Sequence, residues 1–278
     1  MQKINSVPRH CGRQQNFLLM NFFLKESIEY AQQRTYLDDL YSVYPTINNN
    51  IRDIDKKLWG KVEESYNNKD NAELIRNMLK LKLFPIKSSY VAFLRKDKDA
   101  IRRNPKTVNR LAAELRSMSL DDIYKKCCQP KEANRQIGPM FRSWVARTEW
   151  GFPKMNYNAF CSSDNDAICI GTDQEMKEFA EKNLHYVHDK GLDFLARISG
   201  RYVIGEAKFI TDNGGHQITQ FNDAIATVES RINAVRVAIL DGVLYIKSNN
   251  KMYKGITEVY SEDNIMSALL LRDFLYTL

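Results

Sequence analysis

A disulfide framework and a zinc site are both missing from this sequence. The 278 residues hold five cysteines, an odd number, at Cys11, Cys127, Cys128, Cys161 and Cys169. No two of them have the C-x₂-C spacing that chelates a tetrahedral metal. Unpaired thiols suit a reducing, cytoplasmic compartment. A membrane-length apolar run is missing as well. Phe17–Leu24 is interrupted by Asn21 and followed by Lys25 and Glu26 with no small-residue cleavage site. It reads as a buried amphipathic helix rather than a targeting segment and is far too short to span a bilayer. There is no G-x-x-x-x-G-K-[ST] phosphate loop, no internal repeat and no low-complexity linker.

What is present is the composition of an ordinary globular protein, 44% hydrophobic and 27% charged. The length suits one large domain or two smaller ones in contact. The net charge is +7 and the pI about 9.0, which favours polyanionic partners only weakly. Its distribution says more. Residues 1–150 hold 28 Lys and Arg against 17 Asp and Glu, and residues 151–278 hold 13 against 17. The excess is concentrated in residues 80–147, with 17 basic and 6 acidic side chains.

The first half reads as helical. Helices are expected over residues 14–34, over 52–82 with a break near Asn67–Asn71, from Pro105 with Asn104 as cap, from Ser119 to Cys127, and over Ile137–Arg147. The second half changes character. A helix is expected over Asp173–Leu184. Strands follow over Leu192–Ile198 and Arg201–Phe209, joined at Ser199–Gly200 as a hairpin. Ile218, Phe221, Ile225, Val228 and Ile232 repeat at helical spacing across His216–Ile232. A second hairpin is expected, Val235–Leu240 with Val243–Lys247 across Asp241–Gly242, and a last helix over residues 262–276. The expected domains are therefore a basic helical region over residues 1–150, suited to a polyanionic partner, and a mixed-sheet core over residues 151–278.

One stretch carries chemistry. In Arg201–Phe209, alternation puts Tyr202, Ile204, Glu206 and Lys208 on one face. Glu206 and Lys208 thus project together from an apolar strand, where charge is costly unless paired or metal-bound. The hairpin brings Asp193 alongside them. Two carboxylates and an ammonium at one corner of a sheet suit metal-assisted phosphodiester hydrolysis. Mg²⁺ takes hard oxygen ligands and keeps several waters, and a lysine can stabilise the attacking hydroxide or the charge growing on the phosphate.

Asp193, a hairpin-length gap, then Glu206-Ala207-Lys208 resembles the PD-(D/E)XK nuclease superfamily, and especially its type II restriction endonucleases. The resemblance covers about residues 173–246, with Leu192 where the family often has proline. It implies an α/β, restriction-endonuclease-like core in which a small mixed sheet is flanked by helices. It implies Mg²⁺ held by Asp193, Glu206 and the Ala207 carbonyl, with Asp193, Glu206 and Lys208 catalytic. The substrate would be double-stranded DNA cut at a short specific sequence. A homodimer, a companion DNA methyltransferase and a prokaryotic cytoplasm are implied as well. In such enzymes a glutamine after the motif strand orients the site or touches DNA, which singles out His216, Gln217 and Gln220. On the helix before the hairpin, Glu175, Glu178 and Glu181 are possible additional carboxylates, more simply read as a solvated face.

In the basic block, Arg95, Lys96, Arg102, Arg103, Lys106, Arg110, Arg135, Arg142 and Arg147 could neutralise phosphates, with Asn104, Asn109, Asn134 and Gln136 placed to read base edges. Two other readings stand beside this one. A structure-specific repair or junction nuclease of the same superfamily would have less use for so large a basic region. A non-catalytic DNA-binding regulator would bind without metal and would not cleave.

Overall fold

The computed structural model describes residues 20–46, 52–129, 136–188 and 191–278. They divide into two compact units, one of residues 1–46 with 133–278 and one of residues 47–132. The divisions thus fall elsewhere than at residue 150. The reason is that helix Ile137–Arg147 and the N-terminal helices pack against the sheet, so contact rather than charge groups them with the C-terminal half.

In the first unit, α1 (Phe22–Tyr30) is capped by Asn21, whose side chain accepts from Phe23 N–H, and it buries Leu24, Ser27 and Ile28. The next helix, α2 (Tyr36–Val43), buries Tyr36, Leu40 and Val43. The second unit is all-helical among its described residues. It comprises α3 (Lys56–Asn67), α4 (Asn71–Lys80), α5 (Ser89–Lys96), α6 (Ala100–Arg103), α7 (Pro105–Arg116) and α8 (Leu120–Cys127). Val62, Leu74, Ile75, Met78, Leu111, Leu115 and Ile123 form its core. Pro105 opens α7 where its missing N–H costs nothing. Asn104 does not cap that helix as expected; its amide donates back to Ala100 O at 2.8 Å.

The first unit resumes with α9 (Ile137–Arg147), β1 (Lys154–Asn156), α10 (Tyr157–Cys161), β2 (Ala167–Ile170) and α11 (Asp173–Leu184). Then come β3 (Phe194–Ile198), β4 (Arg201–Ile210), α12 (Gly215–Glu229) and β5 (Val235–Gly242). After β5 the chain makes a 3₁₀ turn over Val243–Tyr245, α13 (Lys251–Lys254) and β6 (Ile265–Met266), and it ends in α14 (Leu271–Leu275). The six strands form one mixed sheet in the order β1-β2-β3-β4-β5-β6. β3 is antiparallel to both its neighbours, and the pairs β1–β2, β4–β5 and β5–β6 are parallel. The expected α/β core, a mixed sheet flanked by helices, is what forms.

The β3–β4 hairpin is tied at its turn. Ser199 and Gly200 both have positive φ, 50° and 72°, the conformation that matches a two-residue turn to the twist of its strands. Asp166 accepts hydrogen bonds from both of their N–H groups, at 2.7 and 3.2 Å. Helix α12 then returns the chain so that β5 lies parallel to β4. It buries Phe221, Ala224, Ile225 and Val228, each large apolar side chain contributing roughly 1.5–3 kcal/mol.

Two expected elements do not form. Val243–Lys247 is not a hairpin partner of β5, because β5 already has β4 on one edge and β6 on the other. Asp241 lies in a buried network instead of an exposed turn. The expected helix over residues 262–276 is interrupted by β6 and by Ser267, whose hydroxyl accepts from Leu269 N–H. Strands β1 and β2 carry no signal of their own in the sequence. Ala167–Cys169 is buried throughout and shows no alternation to reveal it.

Candidate active site

The hairpin register sets the centre. Phe194 pairs with Gly205, and Asp193 N–H donates to Gly205 O at 3.0 Å, so Asp193 stands beside the Glu206–Lys208 segment. Ala207 N–H donates to Asp193 Oδ2 at 3.2 Å. Lys208 Nζ pairs with Glu206 Oε1, and Arg142 Nη1 pairs with Asp193 Oδ1. Arg142, Asp193, Glu206, Ala207 and Lys208 line one cleft of about 480 Å³, together with Asp173 and Asp223. Its rim includes Ile137, Gly138 and Pro139 from the start of α9 and His216, Thr219 and Gln220 from α12.

Electrostatics follow from burial. The Asp193 and Glu206 side chains are each only 7% exposed. Burial pushes Asp193 above the usual carboxylate range, opposed by Lys208, Arg142 and the Ala207 N–H. Burial, then the nearby Asp193 charge, pushes Glu206 up to about 7. For Lys208, burial works against the ammonium, but Glu206 and Asp193 outweigh it and hold its pKa above the ordinary value. Lys208 is therefore a cation at neutral pH.

Two buried carboxylates whose ionised forms are under-compensated suit a divalent cation, which would favour ionisation of both. Among the described residues no group of three or more His, Cys, Asp or Glu side chains is arranged to hold a metal. A pair of carboxylates matches Mg²⁺, which takes one or two of them and completes its shell with water and substrate phosphate.

The other expected residues divide. His216 and Gln220 reach the cleft and contact each other, with 3.1 Å between the His216 Nε2 and Gln220 Nε2 atoms. Gln217 does not reach it. It is 2% exposed and spent on Thr211, accepting from its N–H and donating to its hydroxyl. It fastens the loop between β4 and α12, a role that follows from its position on the apolar side of the helix. Glu175 is likewise committed, forming a capping box with Thr172 at the start of α11.

In the second unit, Arg102, Arg103, Lys106, Asn109 and Arg110 are all exposed. Arg103 is paired with Asp97, and Asn109 accepts from Asn71 at 3.0 Å. Asn134 and Arg135 lie outside the described residues. Three cleft residues have no distinct place in the sequence pattern. Arg142 reads there only as part of a basic block, and Asp173 only as the start of a helix. Asp223 continues the polar stripe His216, Gln220, Asp223 at helical spacing on α12, a signal that could have found it.

Comparison with known proteins adds one finding. A family model described as Tsp45I type II restriction enzyme matches residues 21–278. No curated protein and no solved structure matches the chain.

Proposed function

This chain belongs to the Tsp45I type II restriction enzyme family, and from that premise we propose that Asp193, Glu206 and Lys208 form its DNA-cleaving centre. The protein is a site-specific endonuclease acting on DNA. The support for this centre is one observation: a single hairpin corner delivers two buried carboxylates and a lysine to the same cleft. This is the arrangement of the PD-(D/E)XK superfamily.

In this reading Asp193 and Glu206 hold Mg²⁺, with the Ala207 carbonyl as a further ligand. When bound, the ion supplies Lewis-acid chemistry to the scissile phosphate. Ala207 N–H fixes the orientation of the Asp193 carboxylate by donating to its Oδ2. Lys208 stabilises the charge that grows on the phosphate oxygens in the transition state. His216 and Gln220 face the DNA beside the scissile bond.

Residues 1–150 contribute phosphate contacts through Arg102, Lys106 and Arg110, with Arg103 and Arg135 adding to them, and Asn109 is the candidate base reader. The enzyme acts as a homodimer, whose two-fold axis matches a palindromic site. It works in a prokaryotic cytoplasm beside a methyltransferase that protects host DNA. No described helix is long and apolar enough to cross a membrane.

The test is incubation with plasmid DNA in Mg²⁺ or EDTA, followed by sequencing of the ends. Cleavage at one recurring sequence, dependent on Mg²⁺ and lost in Glu206→Gln, is expected. Cleavage that persists in Glu206→Gln would overturn the assignment.

A further inference from the structure

Arg142 stands in the second turn of α9 and reaches into the cleft. Its Nη1 donates to Asp193 Oδ1, and its Nη2 lies 3.6 Å from Asp173 Oδ1. The helix comes very close to the carboxylate. A Cβ added at Gly138 would sit 2.6 Å from Asp193 Oδ1 and 3.2 Å from Arg142 Nη1. Only a glycine admits this approach.

Both oxygens of Asp193 therefore have donors already. Oδ2 is held by a backbone N–H within the sheet, which cannot leave. Oδ1 is held by a guanidinium on a flexible stem, which can. A divalent cation on Oδ1 would face that guanidinium at a few ångströms in a poorly screened cleft, so the two compete for one atom. A phosphate is the alternative partner that a guanidinium binds best, through two parallel N–H donors. Asp173, which also faces Arg142, is 54% exposed and offers only a weak rival contact.

We infer that Arg142 is an electrostatic latch on Asp193. While the cleft holds no DNA, Arg142 is the counter-ion of this carboxylate. When duplex arrives, Arg142 passes to a DNA phosphate and Oδ1 becomes available to the cation. Metal loading is thereby conditional on substrate, and the free enzyme is held unloaded. The inference rests on Asp193 being a metal ligand, as proposed above.

The experiment uses the full-length protein and two measurements. The first is Mn²⁺ binding without DNA, read from the free-ion electron paramagnetic resonance signal. The second is binding to a random-sequence duplex in EDTA across a salt series. Arg142→Gln keeps a hydrogen-bond donor for Asp193 but removes the charge, and Arg142→Met removes both.

Both variants should bind Mn²⁺ roughly tenfold or more tightly than wild type, within the usual range for coupled sites. Both should bind duplex more weakly, with a salt slope smaller by about one. Opposite signs are the signature, since a merely structural arginine would lower both affinities. Unchanged or weaker Mn²⁺ binding in folded Arg142→Gln would overturn the latch.

Asp193→Asn separates this from failure of the metal site. If the affinity gained in Arg142→Gln survives addition of Asp193→Asn, the metal assignment itself falls. If wild type binds Mn²⁺ through Asp193 and Arg142→Gln gains nothing, the latch alone falls.

Discussion

Residues 47–132 carry 20 Lys and Arg against 12 Asp and Glu, whereas the rest of the chain carries 21 against 22. The two units also differ in where their charge resides. Among the described residues, the buried polar side chains of the helical unit are Ser65 and Asn77, both uncharged. The sheet unit buries Asp193, Arg197, Glu206 and Asp241. Exposed charge costs little to place and suits long-range attraction to a polyanion. Buried charge is costly and persists only with partners or a task.

The four buried charges show that burial alone does not mark a catalytic group. Arg197 lies against the rings of Phe160 and Tyr202, at 4.7 and 5.1 Å, and donates to the Ser163 and Asn165 carbonyls. Asp241 accepts from Tyr36, Tyr44, Ser267 and the Ala268 N–H. Both are enclosed by protein and brace the fold, Asp241 by tying α2 and the segment after β6 to the end of β5. Asp193 and Glu206 instead open onto a cleft. That opening onto space is what supports the proposal that these two are the reactive carboxylates.

The largest expected effect sharpens this contrast at its catalytic end. Asp193→Ala and Glu206→Ala should each lower single-turnover cleavage on the order of 10⁴-fold, the scale seen when a member of a catalytic unit is removed. Duplex affinity should be retained or improved, because a negative charge facing phosphate is removed. Near wild-type cleavage by either variant would dissolve the proposed centre.

Lys208→Ala should reduce the cleavage rate roughly 100- to 1,000-fold, as expected for a group acting on transition-state charge. Its duplex affinity should barely change. Equal losses in rate and affinity would make Lys208 a phosphate contact, and the contrast between units would blur.

Asp241 provides a test through stability. Burial, only partly offset by its four donors, raises its pKa to about 7, against about 3.9 for an unfolded chain. The folded protein therefore holds this proton more tightly than the unfolded chain does. The contribution of this group to stability is full below about pH 4 and falls, by a few kcal/mol, as pH rises through 7. Glu206, also raised to about 7, acts in the same direction. Denaturant unfolding at pH 4.5 and 7.5 should show the loss in wild type and a smaller one in Asp241→Asn. Hydrogen exchange should locate it in the sheet unit; a loss located in residues 47–132 would break the comparison.

The smallest effect on chemistry belongs to the helical unit. Neutralising Lys106 and Arg110, one turn apart on α7, should flatten the dependence of log K on log salt by about 0.9 for each phosphate that no longer has a cationic partner. Cleavage at saturating enzyme should change little. Arg103→Ala should do less, since Asp97 already pairs with it. An unchanged slope in the Lys106/Arg110 double variant would show that this face meets solvent only.

Much of this molecule is legible in its sequence because the signals are local. The Ser119 start of α8, the spans of α9 and α11, the periodicity of α12, the Ser199–Gly200 turn and the alternation of β4 each depend on neighbours within a few residues. The hairpin alone brings Asp193 to Glu206 and Lys208, so the juxtaposition on which the proposed site rests is legible too. Long-range packing decides the rest. Whether Asp241 begins a turn or ends a central strand depends on Tyr36, some 200 residues away, and on Ser267. Whether Gln217 faces DNA or the interior depends on Thr211 across a loop. Arg142 becomes a partner of Asp193 only because α9 packs onto the sheet at Gly138. Local pattern constrains what a backbone segment can be; which buried charge meets which partner is set by packing between segments that the sequence leaves far apart.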